Sequence, residues 1–158
     1  MLPTLWGRLQ TRVLVLAVLG GLWTVVLCPV LWVLLPAEVG FGETYAVAFV
    51  ILTTVIVLGV VWEFVYHFLQ QFRWEKDWPT LFGLVTAIPE GIVVWFVAKY
   101  VLLSSGSGAQ ILPGDLPMPT PLVYSIQFVT TWLLIWIVTN GPLRAVFPRW
   151  RFQGGRFL

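Results

Sequence analysis

Residues 13–35 read VLVLAVLGGLWTVVLCPVLWVLL, an apolar run without a single charge. An α-helix rises about 1.5 Å per residue, so roughly 20 such residues cross about 30 Å of hydrocarbon. Three more runs of the same kind follow, Thr44 to Tyr66, Thr80 to Leu103 and Leu122 to Thr139. The expected fold is all-α, a polytopic membrane protein built as a four-transmembrane-helix bundle, with helices over about 13–35, 44–72, 80–103 and 122–140.

Composition points the same way. The chain of 158 residues is 59% hydrophobic and 10% charged, with a mean hydropathy of +0.90, where soluble domains average about 45–50% apolar and about 25% charged. The longest stretches outside the runs, Ser104 to Pro121 and Asn140 to Leu158, are shorter than the roughly 40 residues a chain needs to build a core unaided. A single integral membrane domain is therefore expected, with residues 141–158 as a basic, aromatic cytoplasmic tail. The formal charge of +2 does not imply nucleic acid, because topology accounts for where the basic residues lie. Cys28 is the one cysteine, which rules out an intramolecular disulfide and paired-thiol redox chemistry. The first run is too long for the core of a signal peptide, and Leu35-Pro36-Ala37 is a poor cleavage site, so it is expected to stay as a helix.

Orientation follows from the basic residues. Arg8 and Arg12 precede the first run, Arg73 and Lys76 lie between the second and third, and Arg144, Arg149, Arg151 and Arg156 follow the fourth, against Lys99 alone at the other side. Both termini are accordingly expected in the cytoplasm. Seven Arg against two Lys hints at a GC-rich bacterium, so the expected location is a bacterial plasma membrane. Trp6, Trp62, Trp74, Trp78 and Trp150 suit the inner headgroup belt, and Tyr45, Tyr100 and Tyr124 the outer one.

Glu90, in Ile88-Pro89-Glu90-Gly91, is the sharpest feature. A charged carboxylate at a helix centre costs about 2.5–3.5 kcal/mol on insertion scales, so it must be neutral, paired or next to water. Pro89 removes a helical hydrogen bond beside it and crowds the carbonyl of Val85, which permits a kink. Glu90 could thus hold a proton or a cation. It could equally serve packing, because Gly83, Ala87 and Gly91 form a small-residue stripe on which another helix can lie. Lys99 falls on the opposite face of that helix and is expected to snorkel to the outer interface. Glu63 and His67, four residues apart, share a face and suit proton exchange; near the boundary, water and headgroups would satisfy them as well. One His and one Cys make a metal centre a poor fit.

At the membrane surface, the loop around Arg73, Trp74 and Trp78 and the tail around Arg149, Trp150 and Arg151 mix cations with tryptophan, a chemistry for docking on lipid or on a partner. No nucleophile-base constellation, phosphate loop or nucleotide fingerprint is present, so the chain is expected not to be an enzyme and to need no cofactor. The expected function is a non-catalytic accessory or assembly subunit of a larger bacterial membrane protein complex. Its expected partners are membrane lipids and other integral membrane subunits, with no nucleic acid. The alternative is a small proton- or cation-coupled transporter, acting as a homo-oligomer with Glu90 as the coupling acid.

Overall fold

The computed structural model describes residues 4–72, 80–103 and 116–147. Among them every regular element is helical, and four helices are long and apolar enough to cross a membrane. These are α1 (Leu5–Leu34), α2 (Phe41–Gln71), α3 and α4 (Pro121–Asn140). α3 is composite, made of Thr80–Val85, Ala87–Val97 and a π-helical turn at Ala98–Leu102. A short α5 (Pro142–Val146) follows Gly141.

α1 begins about two turns before the apolar run. The Thr4 hydroxyl accepts a hydrogen bond from the Gly7 amide at 3.2 Å, which caps the helix and places Arg8 and Arg12 inside it rather than before it. Hydropathy hides this start, because the two arginines lower the average over turns that are fully helical. A π-helical turn at Leu16–Gly20 interrupts α1. The helix ends where Leu35 becomes extended, φ −87° and ψ 158°, as the following Pro36 demands. α2 starts at Phe41, where the Glu43 carboxylate accepts from the Gly40 amide at 3.1 Å and the Thr44 hydroxyl donates to the Gly40 carbonyl at 3.1 Å.

α3 departs from a continuous, proline-kinked helix. It breaks at Thr86, whose ψ is only −18°, and restarts at Ala87. Pro89 has no N–H to offer the Val85 carbonyl, so it falls in the first turn of a new segment, where that lack is tolerated. The Thr86 hydroxyl donates to the Gly83 carbonyl at 3.1 Å, and the Glu90 amide to the Thr86 carbonyl at 3.3 Å resumes the ladder. α4 opens with Thr120 accepting from the Val123 amide at 3.3 Å and Pro121 in first position. The Asn140-Gly141-Pro142 stop ends α4, and the chain continues directly as α5.

α1 packs along α2 and α4, and α3 packs along the same two. The four therefore close a square, with α1 opposite α3 and α2 opposite α4. Leu16, Ile51, Leu52, Val94, Ala98 and Phe128 fill its core, and Leu27, Leu31 and Val123 form a second patch where α1 meets α4. The outer faces are as apolar as the interior: Leu22, Val26, Val33, Ile88 and Leu122 are all more than half exposed. Contiguous apolar faces of that extent are rare on a monomer in water and match the composition of helices able to span a bilayer.

Candidate functional site

Local helix geometry assembles one polar cluster inside this bundle. Arg8 and Arg12 are one turn apart on α1, and Gly59, Glu63 and Tyr66 recur at helical spacing on α2. α3 contributes Glu90 and α4 contributes Trp132. Arg12, on α1, touches the other three helices. Its Nη1 donates to Glu63 Oε1 at 2.9 Å, and its Nη2 donates to Glu90 Oε2 across the diagonal of the square. The Tyr66 hydroxyl donates to the other Glu90 oxygen at 3.0 Å. Arg8 Nε lies 2.9 Å from Glu63 Oε2, an ion-pair contact without hydrogen-bond alignment. The Trp132 ring covers the guanidinium, 5.4 Å from Cζ to ring centre, within cation–π range.

The cluster is enclosed. Glu90 is 2% exposed at its side chain and Arg12 11%. Two arginines face two glutamates, so the formal charges cancel. That cancellation is what makes burial tolerable, since the desolvation of an unpaired ion costs several kcal/mol even after relaxation. Gly59 belongs to the same design: a Cβ there would overlap the Arg12 guanidinium, so glycine lets the arginine come this close to α2.

Glu63 and Glu90, candidates on different helices, are thus brought together through Arg12. His67 is not. It is partly buried one turn beyond Glu63 on α2, and Glu63 is engaged by the two arginines instead. Gly83 and Gly91 face α4, and what they admit is aromatic side chains. Trp132 Nε1 donates to the Gly83 carbonyl at 3.0 Å, the Tyr124 hydroxyl donates to the Gly91 carbonyl at 2.6 Å, and a Cβ on Gly91 would come within 2.8 Å of Phe128. Ala87 is partly buried against the core. Lys99 sits with its ammonium 5.4 Å from the Tyr100 ring centre. Arg73, Trp74, Trp78, Arg149, Trp150 and Arg151 lie outside the described residues.

Two expectations need correction. Arg8 and Arg12, counted as charges flanking a membrane helix, lie within α1 and are paired to buried acids. Tyr124, assigned to an interfacial belt, is 6% exposed and packs between Trp95 and Phe128; position near a helix end says nothing about which face turns inward. The site residues that sequence reasoning passed over are Arg12, Tyr66 and Gly59. A signal for the first existed: an acid as deep as Glu90 requires a partner, and Arg12 and Lys99 were the basic residues at the edges of the apolar runs.

Chemically, the cluster is a donor-rich arginine held between carboxylates. Arg stays charged and has no acceptor, so it orients anions and transfers no proton. Among the described residues, no three His, Cys, Asp or Glu side chains converge as metal ligands would. Comparison of the chain with protein-family models, with curated proteins and with solved structures finds no match.

Proposed function

We propose that this chain is a multi-pass protein of a bacterial plasma membrane, with both termini cytoplasmic, acting as a non-catalytic accessory or assembly subunit of a larger membrane protein complex. The observation that carries the reading is the internal cancellation of its buried charge. Arg12 commits both terminal nitrogens to Glu63 and Glu90, so what the bundle offers laterally is apolar helix face. In lipid such faces associate through close packing rather than through hydrophobicity, which suits contact with other membrane subunits. The orientation survives the reassignment of Arg8 and Arg12. Without them, Arg73, Lys76, Arg144, Arg149, Arg151 and Arg156 still stand against Lys99, and loop arginine and lysine set topology.

The test is the mass of the native particle. Purified in mild detergent, the chain should migrate with stoichiometric integral membrane partners; a bare monomer or homodimer contradicts the reading. Cytoplasmic orientation is checked by labelling a carboxy-terminal tag, which should be reached only after cells are opened.

One observation favours a second reading, a proton- or cation-coupled transporter. Glu90 is a buried acid beside a helix break, a recurring place for coupling sites. Against it, the Arg12 guanidinium occupies the position a coupling cation would take. In proteoliposomes Glu90→Gln should abolish coupled flux if this second reading holds, while leaving assembly intact.

A further inference from the structure

Polar ties divide the bundle into two hairpins. Within α1–α2, Arg8 and Arg12 hold Glu63, and the Tyr45 hydroxyl donates to the Val25 carbonyl at 3.1 Å. Within α3–α4, Trp132 and Tyr124 donate to the Gly83 and Gly91 carbonyls, and Phe128 fills the space Gly91 leaves. Two kinds of tie join the hairpins. In the body of the bundle, Gln127 Nε2 donates to the Ala48 carbonyl at 2.7 Å and Trp23 Nε1 to the Thr130 hydroxyl at 3.1 Å. At the other place, the ties converge on one carboxylate: Arg12 and Tyr66, both from α1–α2, grip the two oxygens of Glu90.

We propose that Glu90 is a latch between the two hairpins, and that its release lets α3–α4 part from α1–α2 at the end of the bundle where α1 begins. Three features support a latch over a permanent weld. First, the grip is asymmetric. When Glu90 leaves, Arg12 keeps Glu63 as a partner on its own hairpin, so opening does not strand a naked guanidinium. Second, α3 is compliant beside the latch, because the ladder is interrupted at Thr86 and Pro89 donates nothing to it. Third, the seam is incompletely filled behind the cluster: a small cavity there is lined by Leu16 and Val55 from one hairpin and by Gln127, Phe128, Thr131 and Trp132 from the other. Trp132, which covers Arg12, also lines that cavity, so separation at Glu90 would uncover it. The Gln127 and Trp23 bonds would act as the pivot.

Distances between spin labels test this in the full chain, with Cys28 replaced by alanine. Labels at Trp6 and Ile137, both exposed, span the seam from α1 to α4; labels at Trp6 and Phe68, exposed likewise, stay within α1–α2. Glu90→Gln should add a longer-distance population to the first pair and leave the second unchanged. An unchanged first pair, or equal broadening of both, overturns the latch. Should Glu90→Gln fail to accumulate, Tyr66→Phe removes one of the two grips without unpairing a charge. It should produce a smaller longer-distance population across the seam, and its absence likewise overturns the proposal.

Discussion

The two hairpins solve the same problem, holding two apolar helices together, with different chemistry. α1–α2 uses charge, two arginines on one helix closing on Glu63 of the other. α3–α4 uses aromatic rings whose N–H and O–H groups reach backbone carbonyls laid bare by glycine. The difference lies in what each solution requires. Ion pairs away from water hold only while every partner is present, whereas an indole or phenol over a glycine contributes mostly contact area and loses little when its polar bond is removed. The first arrangement should therefore be brittle to single substitutions and the second graded.

Removing the guanidinium is the strongest way to expose that brittleness. Arg12→Met leaves Glu63 and Glu90 facing each other with only Arg8 nearby, and loss of one partner from a buried pair costs about 3–5 kcal/mol. Thermal unfolding in detergent should show the largest loss of any single variant considered. Adding Glu90→Gln to Arg12→Met should recover much of it, because Arg8 then faces Glu63 alone and the formal charges of the cluster cancel again. If Arg12→Met alone melts like the parent, the cluster is not what holds α1 to its neighbours.

Crowding the aromatic hairpin should cost less. In Gly91→Ala the new methyl would meet Phe128, itself stacked between Tyr124 and Trp132, so the ring has little room to yield. Overpacking of this kind costs about 1–3 kcal/mol. A milder probe of the same contact is Tyr124→Phe, which keeps the ring and removes the bond to the Gly91 carbonyl. Interhelical hydrogen bonds in membrane proteins average about 0.6 kcal/mol and reach about 1.7, so the melting shift should be a fraction of that for Gly91→Ala. A larger loss in Tyr124→Phe than in Gly91→Ala would mean that the polar bond rather than contact area holds α3–α4, and the contrast with α1–α2 would fall.

How much of this was legible beforehand depends on the distance over which information must travel. The four helices were readable because length and apolarity are local properties. The start of α1 was not, since Thr4 caps a segment whose arginines look like flanking charge. Glu90 stood out as an acid needing a partner, yet its partner Arg12 is 78 residues away, and Arg12 meets Glu63 across 51. Nothing in the spacing of a single chain encodes those meetings; they follow from how α1 lies against α2 and across from α3. Gly59 carried a usable hint. A glycine one turn before an acid in a helix otherwise rich in valine marks a place where something comes close, although not what.

Glycines also supply the finest test, because Gly21 does none of this. Gly21 lies in α1 with helical angles, φ −62° and ψ −50°, and a Cβ there would meet nothing within 4 Å. In an isolated chain Gly21→Ala should be neutral or stabilise by up to about 1 kcal/mol, the ordinary gain in helix propensity. If a partner subunit packs on this face of α1, the same methyl would weaken the complex while leaving the purified chain unharmed. Melting of the chain alone and recovery of the complex should then move in opposite directions, and recovery unchanged would place any partner on another face.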